Sequence, residues 1–120
     1  VVAEDKKKSP PGIISCVVDI VKQYHGKIPL AVASSGTKEH VTEDLERNGL
    51  TKYFDAIITC EDVVNGKPAP DIFLLACKKI NVAPEKCFGF EDADVGMQSL
   101  QNAGIHAIDV RLMDKYPHKL

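Results

Sequence analysis

Apolar positions along the chain switch between two spacings, and the switches mark the elements. From Ile13 the residues Ile14, Val17, Val18, Val21 and Tyr24 recur at helical spacing, and Gly26 suits a stop. This predicts a helix to about His25. Residues 28 to 34 form a short apolar run, with Pro29 near its entry and Ser34-Ser35-Gly36 at its end. A run this short, bounded by turn residues, predicts a buried strand. Thr37 can cap the next helix, with Glu39, Glu43 and Asp44 placed early, where the helix dipole favours anions. Gly49 is a natural left-handed stop, and Leu50 can close back onto the last turn. Residues 56 to 60 predict a second strand, and residues 62 to 66 a connecting turn. Pro70 opens a helix with Ile72, Leu75, Ala76 and Ile80 as its inward stripe, and Pro84 ends that region. Residues 87 to 90 predict a third strand. Asp94 is expected to cap a helix through Met97 and Leu100 to Ala103, with Gly104 as its stop. Residues 106 to 110 predict a fourth strand. Strands and helices alternate, so the expected fold is a three-layer α/β arrangement with a parallel sheet and right-handed crossovers.

Composition narrows the function classes. The length of 120 residues fits one domain. A formal net charge of -2 leaves no cationic surplus to neutralise phosphates, which argues against a nucleic-acid partner. The one basic cluster, Lys6-Lys7-Lys8, reads as a solvated end. No apolar run approaches the length of a membrane span, so no membrane is implied. Cys16, Cys60, Cys77 and Cys87 form no C-x-x-C pair and sit among apolar residues. They read as buried reduced thiols of a cytoplasmic protein. His25, His40, His106 and His118 are scattered and make no ligand pattern. Residues 1 to 10 read as a polar tail and residues 11 to 120 as the core domain. The first residue is Val1, and the chain is expected to be a piece of something longer.

In an open parallel sheet, ligands gather beyond the carboxyl ends of the strands. Three features fall there. Ser34 offers a hydroxyl, and Ser35 and Gly36 offer backbone N–H groups at a helix entrance, a suitable phosphate cradle. A turn or capping serine is the simpler alternative. Lys67 is framed by Gly66 and Pro68, with Pro70 close behind, so its charge could meet phosphate oxygens and a carboxylate together. An ordinary exposed loop lysine is the alternative. Asp92, with Glu91 beside it, could hold magnesium through hard oxygen ligands.

These blocks carry a family resemblance. Leu30-Ala31-Val32-Ala33-Ser34-Ser35-Gly36, Tyr53-Phe54-Asp55-Ala56-Ile57, Gly66-Lys67-Pro68-Ala69-Pro70-Asp71, Gly89-Phe90-Glu91-Asp92, Gly96 and Ala103-Gly104 follow in order. Together, over roughly residues 11 to 112, they resemble the haloacid dehalogenase superfamily. The β-phosphoglucomutase-like branch, with its small sugar-phosphate phosphatases, is the nearest likeness. The resemblance implies that Ser34 hydrogen-bonds a transferring phosphoryl group and that Lys67 stabilises charge on phosphate and nucleophile. It further implies that Asp92 binds Mg2+, with Glu91 as a neighbouring metal residue. The catalytic candidates are therefore Ser34 and Lys67. The phosphate-binding candidates are Ser34, Ser35, Gly36 and Lys67, and the metal candidates are Asp92 and Glu91. The family's first motif, D-x-D-G-T, supplies an aspartate that forms an aspartyl-phosphate. Nothing here matches it, and Asp19 lies in a helical pattern and reads as structural.

The expectation is thus the C-terminal part of a Mg-dependent phosphatase or phosphomutase acting on a small phosphorylated metabolite. It would lack the central motif-one strand and the cap domain, and it would be inactive alone. The bare strand edges would close by rearrangement, pair with another copy, or take a separate N-terminal segment. The alternative is a non-catalytic binding or interaction module. A phosphoacceptor receiver domain would place its acidic pair first and its lysine last, the reverse of the order here. A dinucleotide fold would want G-x-G-x-x-G, and Ser35-Gly36-Thr37 has one such glycine.

Overall fold

The computed structural model describes residues 2–4 and 15–113, with side chains from Val17 to Met113. Five strands form one parallel sheet: β1 (Val2–Glu4), β2 (Ala31–Ser34), β3 (Ala56–Ile58), β4 (Phe88–Glu91) and β5 (His106–Asp109). Their spatial order is β3-β2-β1-β4-β5. Four helices connect or flank them: α1 (Ser15–Tyr24), α2 (Lys38–Arg47), α3 (Asp71–Ile80) and α4 (Asp94–Ala103). The four strands expected after residue 28 all form, each trimmed by one to three residues at an end.

The central strand corrects the sequence reading. Residues 1 to 10 were expected to be a tail, and the sheet to lack its middle strand. Instead β1 lies between β2 and β4, with Val2 opposite both Val32 and Phe90 and Glu4 opposite Ser34. The physical reason is the cost of two unpaired strand edges inside a sheet covered on both faces. A segment opening on β-branched valines suits that place. The Lys6-Lys7-Lys8 cluster and His118 lie outside the described residues.

The period of two along β2 sorts its side chains onto opposite faces. Ala31 and Ala33 join Ile72, Phe73 and Ala76 of α3 and Leu100 and Ala103 of α4 in one buried cluster. Val32 joins Val41 and Leu45 of α2 on the other side. Val17 and Val21 of α1 pack there too, with Leu30, Val110 and Phe90. Hence the three layers: α3 and α4 over one face, α1 and α2 over the other. Phe73, fully buried, was left out of the stripe expected for α3. Burying a side chain of that size contributes about 1.5–3 kcal/mol.

The caps are local and mostly as expected. The Thr37 hydroxyl accepts from the His40 N–H at 3.3 Å and opens α2. Gly49 takes φ 65°, and the Leu50 N–H reaches back to the Leu45 carbonyl at 2.9 Å. Asp94 departs from expectation. Ala93 holds the cap position of α4 without a side-chain bond, and Asp94 is the first helical residue. Its carboxylate accepts from Arg111 instead. Cys60 is another correction: it is exposed, whereas Cys77 and Cys87 are buried.

Candidate functional site

The carboxyl ends of β2 and β4 set the frame of the site. Val2 of β1 is opposite both Val32 and Phe90, so those two residues are level across the sheet. Ser34 and Asp92 each lie two residues further on, hence at the same height on either side of the β1 end. Two strand spacings separate the chains that carry them, on the order of 10 Å. Glu4 occupies the register position opposite Ser34.

Ser34 is fully buried, and its Oγ accepts from the Gly36 N–H at 3.1 Å. That bond shapes the turn into α2. The turn role is the one observed, since Oγ accepts from the backbone two residues on. Gly36 is spent on the turn as donor, and its carbonyl accepts from the Cys60 N–H at 3.3 Å. Ser35 is exposed.

Lys67 is no loop lysine in solvent. Its Nζ lies 3.1 Å from Glu91 Oε2, and the two side chains are 10% and 3% exposed. The same Nζ sits 5.1 Å from the centre of the Phe73 ring, within cation–π range. Glu91 Oε1 accepts from the Asp92 N–H at 3.0 Å, so both of its oxygens are engaged. A buried carboxylate held on both oxygens is a fixed charge. The ammonium it binds is fixed with it.

Helix α4 holds the Lys67 loop in place. Ser99 Oγ donates to the Ala69 carbonyl at 2.6 Å, and Asn102 Nδ2 to the Pro68 carbonyl at 2.9 Å. The loop closes on itself through the Ala69 N–H to the Gly66 carbonyl at 3.0 Å. Glycines let α4 approach this closely. A side chain at Gly96 would overlap the Glu91 carboxylate, and one at Gly89 would overlap Leu100. Gly96 stood among the matching blocks of the sequence. Ser99 and Asn102 did not, because a serine and an asparagine inside a helix carry no local mark of a partner thirty residues away.

The far side of the rim was also missed. Asp109 ends β5 directly opposite Glu91. Arg111 donates from Nε to Asp109 Oδ1 at 2.9 Å and from a terminal guanidinium nitrogen to Asp109 Oδ2 and Asp94 Oδ1, both at 2.8 Å. The guanidinium bonds hold the Asp109 carboxyl below the usual carboxylate range. The bond to Asp109, then that to Asp94, raises the Arg111 pKa. At the β3 end, Asp62 accepts from the Thr59 N–H at 2.8 Å and from its hydroxyl at 3.2 Å, a closed local box.

Among the described residues no group of three His, Cys, Asp or Glu converges as a cation site would require. Glu91 is already matched by Lys67. Asp92, half-buried at the rim, sits where a cation carrying its own waters could be met. The described residues by themselves make no closed cation site. Two of the described histidines meet backbone carbonyls. His25 meets the Tyr53 carbonyl at 3.3 Å and His106 the Glu85 carbonyl at 3.0 Å. Asp19 is exposed on α1. A cavity of about 470 Å³ lies at the opposite, amino end of the strands, lined by Val21, Leu30, Cys87, Phe88 and Phe90 among others.

Comparison with known proteins agrees with this arrangement. The family profile described as haloacid dehalogenase-like hydrolase matches residues 2–110. The fructose-1-phosphate phosphatase YqaB of Escherichia coli is 45% identical over 98 residues, covering 81% of this chain and 52% of that protein. A phosphorylated carbohydrates phosphatase of Thermotoga maritima is 40% identical over 101 residues, covering 84% of this chain and 45% of its own length. The crystal structure of a β-phosphoglucomutase from Clostridium difficile superposes with a TM-score of 0.73 at 26% identity, over 88% of this chain and 48% of that one. The chain spans about half the length of the relatives it matches. The buried lysine–carboxylate pair at the strand ends, the parallel sheet around it and the profile match lead to one assignment: the chain belongs to the haloacid dehalogenase-like hydrolases.

Proposed function

We propose that this chain is the phosphate-handling part of a magnesium-dependent phosphatase or phosphomutase acting on a small sugar phosphate. The observation that carries the reading is the buried Lys67–Glu91 pair, positioned at the strand end beside Asp92 and level with Ser34. A fixed ammonium in a dry setting stabilises developing phosphoryl charge without reorganising at the moment of reaction. Glu91 holds it in place, and Ser99 and Asn102 hold the loop that presents it. Ser34 donates its hydroxyl proton to a phosphoryl oxygen. Asp92 is the metal ligand this chain would provide. Bound magnesium would offset the charge of the phosphate ester. The attacking aspartate, which would form the aspartyl-phosphate, would come from a D-x-D-G-T strand that this sequence does not contain and that would take the central place β1 holds here.

On this reading the chain alone turns over no sugar phosphate. Joined to an amino-terminal portion that carries D-x-D-G-T, it releases phosphate in the presence of Mg2+, and Lys67→Ala in that protein lowers kcat by about 100-fold or more. Phosphate release undiminished by Lys67→Ala would sink the reading. A second reading, a binding module, draws on the fact that β1 fills the central place with Val-Ala-Glu rather than the motif. An upstream open reading frame with D-x-D-G-T favours the enzyme, and a nearby start codon the module.

A further inference from the structure

A second chemical site lies at the other end of the sheet. Cys77 is in the last turn but one of α3, and Cys87 precedes β4. The Cys77 thiol donates to Cys87 Sγ at 3.3 Å. The Cys87 thiol in turn faces the Val82 carbonyl at 3.9 Å. Both cysteines are free and buried, 2% and 6% exposed. Burial alone would make them inert core residues. Two features set them apart: their sulfurs touch each other, and Cys87 also lines the cavity of about 470 Å³, together with Val82, Lys86 and Phe88.

We propose that Cys77 and Cys87 are an oxidisable dithiol, in which a small hydroperoxide reaches Cys87 through the cavity and Cys77 closes a disulfide that ties α3 to β4. The order follows from the surroundings. Burial, and then its hydrogen bond to Cys87, push the Cys77 thiol up to about 12, so it stays protonated. Cys87 is the member of the pair that lines the cavity, and Cys77 does not line it.

The chemistry balances. The Cys87 thiolate attacks one peroxide oxygen, an S–O bond forms, the O–O bond breaks and hydroxide leaves. Cys77 then gives up its proton and attacks the oxidised sulfur. The S–S bond forms, the S–O bond breaks and water departs. One hydrogen peroxide and two thiols become one disulfide and two waters. A disulfide needs sulfurs about 2.0 Å apart, so the pair must close by little more than 1 Å. The bond would join, at their far ends, the helix that follows the Lys67 loop and the strand that ends at Glu91.

The test uses Cys16→Ser/Cys60→Ser, which leaves two of the four cysteines. Hydrogen peroxide should lower its mass by about 2 Da and take its alkylatable thiols from two to none, both reversed by dithiothreitol. Adding Cys77→Ser should replace that loss with a sulfenic acid on Cys87, trapped by dimedone. Adding Cys87→Ser should leave Cys77 unmodified. Should the double serine variant fail to fold, differential alkylation of the wild-type chain reads the same pair, because cleavage after Glu61 separates Cys60 from Cys77. Cys77 and Cys87 both still alkylatable in the wild-type chain after peroxide that oxidises the exposed Cys60 would overturn the proposal. So would a sulfenic acid found on Cys77 ahead of Cys87.

Discussion

Two ion-pair groups flank the end of β4, and they differ in what breaking them costs. Lys67–Glu91 is dry, with both side chains at or below 10% exposure. Arg111 with Asp109 and Asp94 has shorter contacts, at 2.8 Å, yet Arg111 is 34% and Asp94 94% exposed. Distance alone would rank the arginine group as the stronger. Burial reverses the ranking, because water stands ready to solvate the exposed charges once they part and cannot reach the buried ones. On the proposed function the dry pair is the one that would face a reacting phosphate, and the wet group is a brace between β5 and α4.

The sharpest test of that contrast is Lys67→Ala. It leaves Glu91 buried without its cation, and should lower unfolding free energy by about 3–5 kcal/mol in urea denaturation. Lys67→Met with Glu91→Leu removes both charges and should recover most of that loss. A double variant no more stable than the single one would mean that the pair stabilises through something other than mutual neutralisation. Gly96→Ala comes next. Its methyl would displace the Glu91 carboxylate, for a loss of about 1–3 kcal/mol by the same measurement. Ser99→Ala takes away the donor to the Ala69 carbonyl and should cost about 1–2 kcal/mol. If the proposed function holds, Ser99→Ala in the protein joined to D-x-D-G-T should also reduce kcat by loosening Lys67.

The smallest effect belongs to Arg111→Ala, whose neutral-pH stability should be close to that of the parent. Its signature is in acid. Asp109 has its pKa lowered in the folded state, so the stability it contributes is fully present above the unfolded carboxyl value of about 4 and fades as pH falls through its lowered folded value. Denaturation midpoints measured from pH 5 downward should therefore fall less steeply for Arg111→Ala than for the parent. Equal slopes would remove Asp109 from the acid limb.

Much of this protein was legible without coordinates. Local rules were enough for Thr37, Gly49 and Gly104, since a cap or a left-handed stop depends on a few neighbouring residues. Asp94 misled because its role is set by Arg111, seventeen residues on, rather than by the helix it begins. Cys60 misled because apolar neighbours in sequence do not guarantee burial. Ser34 and Lys67 were expected at the carboxyl ends of the strands, and nothing near Lys67 in the chain foretold Glu91 as its partner or Phe73 beneath it.

The order of residues alone determined the alternation of strand and helix, the family blocks and the absence of D-x-D-G-T, because each rests on short-range pattern. Tertiary structure alone decided that Val2–Glu4 takes the middle of the sheet, that α4 pins the Lys67 loop, and that two cysteines ten residues apart share a contact. Those outcomes turn on pairing free edges and sharing buried volume between distant segments. No local window of sequence contains both partners.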